Sequence, residues 1–227
     1  MSGVGKVTGF LSRLAPRRAA EEEAGPAPAL VEPEVVVPTK ALKKFMASLR
    51  LRPLPTLLDL GPVVGSNITY FGEQFGCKIF IEDVFADLDR FQREQKMAEL
   101  PAFLQGRFPQ APESVDGILC WDLFDFLDRP SAHIVAEHLM RVLKSNGALL
   151  GFFATAHPRE APLTKFIVVD DSTLRHRHYA PLRMRQPVLQ NRDIIKLFGR
   201  LRVSDSFLLH TLVREILFRK PDYLSNP

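Results

Sequence analysis

One stretch, Thr56–Asp83, constrains the fold of this chain more than any other feature. It starts with a short apolar run that ends at Asp59, continues through a turn with two glycines, contains a second apolar run at Ile79–Ile81 and ends in two acids. This order predicts a strand, a glycine turn, a helix and a second strand. Such a unit places a loop and a carboxylate at one edge of an open α/β sheet, where nucleoside-like ligands bind. The predicted ligand is an adenosine-containing cofactor.

The spacing of the glycines separates one class of cofactor from another. A dinucleotide fingerprint has three glycines, which let a pyrophosphate approach the helix N-terminus. Here Gly61 and Gly65 are present, but Val63 occupies the middle position. The acid before the first glycine, Asp59, suits an ammonium group better than a phosphate. A nicotinamide-dependent dehydrogenase is therefore disfavoured.

The same residues resemble the first motif of the class I S-adenosylmethionine-dependent methyltransferases, which is an acid followed by three glycines at alternate positions. Asp59, Gly61 and Gly65 match this motif, and Val63 departs from it. The resemblance implies that S-adenosylmethionine is the cofactor and that the loop holds its methionine part.

The resemblance also implies that an acid after the second strand binds the ribose hydroxyls of the cofactor. Spacing from Asp59 selects Glu82 for this role, whereas alignment on Gly76 selects Asp83. Both acids remain candidates.

Two downstream segments are similar to later parts of the same family. Ser114–Asp122 resembles its fourth strand, and Leu139–Phe153 resembles its next helix, glycine turn and fifth strand. The fold implied is an α/β, Rossmann-like sheet that is mostly parallel and ends in an antiparallel strand pair, here Phe207–Leu209 and Glu215–Phe218. Trp121, at the end of the fourth strand, joins the predicted cofactor-binding residues.

Methyl transfer requires donor and acceptor to be held close together, and a base can remove a proton from the acceptor. Asp122 and Asp125 follow the fourth strand and are the candidate catalytic residues. His157, His176 and His178 lie in the interval after the fifth strand, which often forms a substrate lid in the family. Any of these histidines could reach the same site.

Charge is distributed unevenly along the chain. Residues 59–137 hold 14 acidic and 6 basic residues, a net charge of −8, whereas residues 172–220 hold 11 basic and 3 acidic residues, a net charge of +8. Arg175–Tyr179 and Arg183–Arg185 make the predicted lid basic. Guanidinium groups pair with carboxylates and phosphates, so the predicted acceptor is an anionic small molecule, with nucleic acid as a weaker alternative. A solvated basic loop that balances the acidic half is the simpler alternative.

Composition divides the chain into two parts. Residues 1–38 are rich in proline and charge and are predicted to be a disordered leader, whereas residues 39–227 are predicted to form one methyltransferase-like domain. Apolar residues recur along one face of Val4–Leu14, which suggests weak contact with a membrane surface, but three glycines weaken any helix there.

No apolar run approaches the roughly 20 residues that span a bilayer. Cys77 and Cys120 fall beside or within predicted strands, and no spacing typical of a metal site accompanies them. These features predict a reduced, cytoplasmic setting and no metal.

A second function from another class is open to a chain with this pattern. Because Val63 replaces a glycine of the motif, the chain could be a catalytically silent relative that keeps the fold and serves as a binding or scaffold protein.

Overall fold

The computed structural model describes residues 33–156 and 160–222, which contain six α-helices and two β-sheets. The helices are α1 Ala41–Arg50, α2 Gly65–Phe75, α3 Val84–Arg93, α4 Leu100–Gln105, α5 Arg129–Val142 and α6 Asn191–Leu197. The strands are β1 Val35–Pro38, β2 Thr56–Asp59, β3 Lys78–Ile81, β4 Val115–Trp121, β5 Leu143–Ala154, β6 Glu160–Val168, β7 Thr173–Met184, β8 Arg202–Leu208 and β9 Val213–Arg219.

The larger sheet has the strand order β3-β2-β4-β5-β9-β8. Its first four strands are parallel, and β9 runs antiparallel to both β5 and β8. This confirms the predicted Rossmann-like sheet with its C-terminal antiparallel pair. Asp59 pairs with Ile81 on one side and Leu119 on the other, so three strands end at the same edge. That edge carries the candidate site.

Both faces are buried in the central strands β2, β4 and β5, as continuous apolar strands predict. Successive side chains of a strand point to opposite faces. Leu57 and Leu119 therefore pack with α1 and α2, whereas Leu58 and Ile118 pack with the cluster formed by α3 to α6. Every residue of β4 is buried, which places the end of that strand inside the protein.

A second, three-stranded sheet has the order β1-β7-β6 and is antiparallel throughout. It contains most of the predicted basic lid, because β7 takes in residues 173–184. It also corrects the boundary of the predicted disordered leader, since residues 35–38 form β1 and pair with β7. Residues 1–32, including the amphipathic segment Val4–Leu14, lie outside the described residues.

Membrane-spanning helices are absent from residues 33–156 and 160–222, where each helix is too short or too polar to cross a bilayer.

Candidate functional site

The predicted cofactor loop begins at the carboxyl end of β2 with a buried acid. Asp59 is only 7% exposed, and its Oδ1 accepts hydrogen bonds from the backbone N–H of Gly61 at 2.9 Å and from Nε1 of Trp121 at 2.6 Å. Burial raises the pKa of Asp59 to about 6, although both hydrogen bonds act in the opposite direction. The first acid of the motif therefore stabilises the turn and holds an aromatic ring.

Trp121 covers the first glycine of the loop. A Cβ atom built on Gly61 would lie 2.6 Å from Cδ1 of Trp121, whereas a Cβ atom on Gly65 would meet nothing within 4 Å. Trp121 has a φ of +49°, a left-handed conformation that is uncommon for residues with a side chain and tends to occur at functional sites. The space beside Gly61 is thus taken by protein, and the space beside Gly65 is open.

The two ribose-binding candidates have different surroundings. Glu82 forms an ion pair with Arg107, and its Oε1 accepts a hydrogen bond from Gln110 at 2.5 Å. Asp83 uses its Oδ1 to accept the N–H of Ala86 at 3.0 Å, which caps α3. Both oxygens of Glu82 are engaged by protein, whereas Asp83 uses one oxygen for its helix.

Val63, the departure from the glycine motif, lies on the outside of the loop and is 54% exposed. It lines an open cleft together with Gly65, Lys165, Arg175 and Arg177. Its isopropyl group therefore faces this basic cleft.

The rings of Trp121, Phe152 and Phe166 form an aromatic partition between the glycine loop and the inner face of the second sheet. Trp121 stacks on Phe166 with ring centroids 5.1 Å apart and planes only 3° from parallel, and Phe152 contacts both rings edge-on. The amide of Asn67 fixes this arrangement, because it donates to the carbonyl of Phe166 at 2.8 Å and accepts the N–H of Val168 at 2.8 Å. α2 and β6 are joined through this one side chain.

Beyond the partition lies a cavity of about 270 Å³. Phe152 and Phe166 form part of its apolar wall. Its polar lining comes from six different elements or loops and comprises Asp122, Asp125, Thr164, His176, His178, Arg185, Thr211 and Glu215. Three buried side-chain atoms in this lining have no hydrogen-bond partner: Oδ1 of Asp122, Nε2 of His176 and Nε of Arg185.

The two predicted catalytic acids face this cavity and share one guanidinium. Arg185 lies 3.5 Å from Oδ2 of Asp122 and 3.7 Å from Oδ2 of Asp125. Asp125 also accepts the N–H of Ala154, at 3.1 Å to Oδ2 and 3.3 Å to Oδ1, which ties it to the end of β5. Asp125 is anchored to the backbone, whereas Asp122 keeps one oxygen free.

Burial sets the protonation of these acids. It raises the pKa of Asp122 to about 7, with a further increase from the neighbouring charge of Asp125. It raises the pKa of Asp125 to about 6, although Arg185 lowers it in part. A carboxylate that titrates near neutral pH is suited to exchange protons with a ligand.

Two histidines of β7 reach the same cavity. Nδ1 of His178 lies 3.1 Å from the hydroxyl of Thr164, so this contact engages one of its two ring nitrogens. His176 packs edge-on against Phe166, and burial lowers its pKa to about 4, so its ring is neutral at pH 7. His157, the third predicted histidine, lies outside the described residues.

Glu215 belongs to the cavity, although no feature of the sequence marks it. It is 1% exposed, and its Oε2 accepts the backbone N–H groups of Lys40 at 2.8 Å and Ala41 at 2.7 Å. These are first-turn amides of α1, whose orphan donors need an acceptor. Their acceptor comes from a strand 174 residues later in the chain, so local sequence carries no signal for it.

The basic residues of β7 have partners within the protein. Arg175 lies 3.5 Å from the carboxylate of Glu34, and Arg177 forms an ion pair with the same group. Arg183 donates to Asp89, with Nε 2.7 Å from Oδ1. The basic segment therefore balances acids of its own fold, the simpler of the two interpretations of its charge.

The mixture of carboxylates and imidazoles around the cavity does not form a metal centre. In the part of the chain that the structure describes, no group of three or more histidine, cysteine or acidic side chains is arranged to hold a metal ion.

Several solved structures are similar to this chain, and they are S-adenosylmethionine-dependent methyltransferases. A Burkholderia thailandensis 1,6-didemethyltoxoflavin-N1-methyltransferase, solved with its substrate and S-adenosylhomocysteine, is 17% identical, with 80% of this chain and 77% of that chain covered and a TM-score of 0.47. An Aquifex aeolicus enzyme is 15% identical, with 78% and 88% covered and a TM-score of 0.46. One from Methanosarcina mazei is 11% identical, with 78% and 97% covered and a TM-score of 0.47.

No protein-family model matches the sequence, and no curated protein matches it. The fold is established by the strand order of the larger sheet.

Proposed function

We propose that this chain transfers a methyl group from S-adenosylmethionine to a small molecule held in the cavity beside Asp122 and Asp125. One observation carries the proposal. The cavity presents unpartnered buried atoms of Asp122, His176 and Arg185, and Asp122 directly follows β4, at the edge where the Asp59 loop also lies. A buried polar atom without a partner costs about 1–3 kcal/mol, so three such atoms at one cavity favour a site that is completed by a ligand.

The cofactor would be held at the carboxyl ends of β2 and β3. Gly65 offers open space, and Asp83 keeps one carboxylate oxygen for the ribose, which makes it the better candidate than the ion-paired Glu82. Asp59 would face the ammonium group of the cofactor. The indole of Trp121 takes the space beside Gly61. These residues therefore fit the cofactor when that ring moves away from the glycine. S-adenosylmethionine, when bound, supplies an electrophilic methyl group on a sulfonium sulfur.

The chain's own residues would position the acceptor and receive its proton. Asp122 has a free oxygen and a pKa of about 7, so it is the best placed base. Arg185 holds both aspartates in position. Phe152 and Phe166 form apolar walls, which exclude water from the reacting groups.

A second function, a catalytically silent protein that binds a ligand in the same cavity, is favoured by two specific contacts. Trp121 fills the space beside Gly61, and Arg107 pairs with Glu82. If the stack of Trp121 on Phe166 never opens, the cavity remains separated from the loop.

Calorimetric titration with S-adenosylmethionine and S-adenosylhomocysteine, with NAD as the control, separates the two functions. We expect micromolar binding of the first two and none of NAD. The variants Trp121→Ala and Trp121→Phe are titrated in parallel, because only the first removes the ring that covers Gly61. If neither the wild-type protein nor a folded Trp121→Ala variant binds S-adenosylmethionine, methyl transfer is excluded and the silent function is supported.

A further inference from the structure

We infer that the cavity beside Asp122 and Asp125 binds a protonated amine with an apolar body, and so takes a cation rather than the anionic molecule that the basic lid predicts. The inference names the acceptor class of the proposed methyl transfer, in which the ammonium group would first give one proton to Asp122 so that its nitrogen has a lone pair for the methyl group. It rests on that function only in calling the ligand an acceptor. Binding of an amine to the cavity is a property of the chain without cofactor.

The charges around the cavity favour a cation. Three carboxylates line it, those of Asp122, Asp125 and Glu215, and Arg185 is the one lysine or arginine among the described lining residues. Both histidines lie within the same lining, and His176 is neutral at pH 7. With all three acids ionised, the cavity has an excess of negative charge, which a ligand ammonium group would neutralise.

The unpartnered carboxylate oxygen of Asp122 favours a ligand that donates a hydrogen bond. Asp122 is 6% exposed, yet its Oδ1 accepts no hydrogen bond. A carboxylate oxygen can only accept unless it is protonated, so an N–H of an ammonium group matches it. Burial raises the pKa of both aspartates, and a ligand ammonium group beside them would favour their ionised form.

The other unpartnered atoms indicate which further polar groups the ligand carries. Nε2 of His176 accepts a second ammonium N–H when the ring proton is on Nδ1. Nε of Arg185 can only donate, so a hydroxyl oxygen on the ligand would satisfy it. An amine with a neighbouring hydroxyl group therefore forms more hydrogen bonds with the lining than a simple amine does.

The apolar walls of the cavity indicate what the rest of the ligand is made of. Phe152, Phe166, Leu174 and Val213 line the cavity as apolar surfaces. Aromatic faces also attract a nearby cation. An aryl or alkyl body next to the ammonium group suits this lining better than a sugar or a phosphate.

Equilibrium binding without cofactor tests the inference. Four molecules of similar shape are titrated calorimetrically: 2-phenylethylamine, 2-amino-1-phenylethanol, 2-phenylethanol and phenylacetate. We expect both amines to bind, the amino alcohol more tightly, and phenylacetate to bind at least tenfold more weakly than either. Equal or tighter binding of phenylacetate, or failure of both amines to bind, overturns the inference.

A variant pair locates the binding. Asp122→Asn keeps the shape of the side chain and removes its charge, and it should weaken binding of 2-phenylethylamine at least tenfold. Glu73→Gln removes an exposed acid on α2 and should leave binding unchanged. Unchanged affinity in a folded Asp122→Asn variant contradicts the assignment to this cavity. Because S-adenosylmethionine is absent, loss of methyl transfer and loss of amine binding are separate results.

Discussion

Nε1 of Trp121 donates a hydrogen bond to Oδ1 of Asp59 across 2.6 Å, and this contact joins the end of β4 to the first acid of the glycine loop. The two residues are 62 positions apart in the chain and are both buried. A family motif implies that this acid faces a cofactor, yet here it also holds an indole over Gly61.

Trp121→Phe should destabilise the protein by about 1–3 kcal/mol, because it removes the buried donor to Asp59 and leaves a carboxylate oxygen with one partner fewer. The loss of this hydrogen bond should also raise the pKa of Asp59, since the bond lowers it now. Chemical denaturation at pH 7 measures the first effect, and NMR titration of the Asp59 carboxyl measures the second. An unchanged titration would mean that the bond does not form in solution.

Gly61→Ala should cost about 1–3 kcal/mol of unfolding free energy, since the new methyl group would lie 2.6 Å from Trp121 and force the ring to move. Gly65→Ala is the matched control, because its Cβ has no neighbour within 4 Å and the residue starts a helix. Urea denaturation compares the two variants. Equal stability of both would show that Trp121 does not cover Gly61.

The pH dependence of stability should reveal the buried acid of the cavity. The pKa of Asp122 is about 7 in the folded protein and about 3.8 when unfolded, so between these values the folded chain holds more protons. Stability therefore falls as the pH rises through this range. From pH 5 to pH 7 the wild-type protein should lose about 2 kcal/mol relative to Asp122→Asn.

Comparing wild type with Asp122→Asn isolates this contribution from those of other groups. His176 acts in the opposite direction, because its lowered pKa makes stability rise with pH between about 4 and its unfolded value. Both proteins contain this histidine, so its effect cancels in the difference. Parallel stability curves for the two proteins from pH 5 to pH 7 would contradict the raised pKa of Asp122.

Glu215→Ala should destabilise the protein by about 1–3 kcal/mol, because two backbone N–H groups at the start of α1, a part-buried one and a buried one, lose their acceptor. Glu215→Gln keeps an acceptor oxygen and should recover part of the loss. Glu73→Ala, at an exposed position, should change stability by less than about 0.5 kcal/mol. Thermal unfolding ranks the three variants, and equal melting temperatures would show that Glu215 does not cap α1.

Local patterns in the sequence determined the main sheet and part of the site. The apolar runs before Asp59 and Glu82 become β2 and β3, and the run that ends at Trp121 becomes β4. Parallel strands end at one edge, so the residues that follow them converge there. For this reason Asp122 and Asp125 could be selected from their positions along the chain, and both line one cavity.

Tertiary structure alone decided what surrounds those residues. The leader's end becomes β1 because β7 offers it an edge to pair with, and the basic segment becomes a strand because β6 lies beside it. Glu215 caps α1, and Phe166 stacks on Trp121, across separations that no local pattern encodes. Periodicity and motifs report the conformation of neighbouring residues, whereas burial, charge partners and free hydrogen-bonding atoms depend on contacts that exist only when distant segments meet.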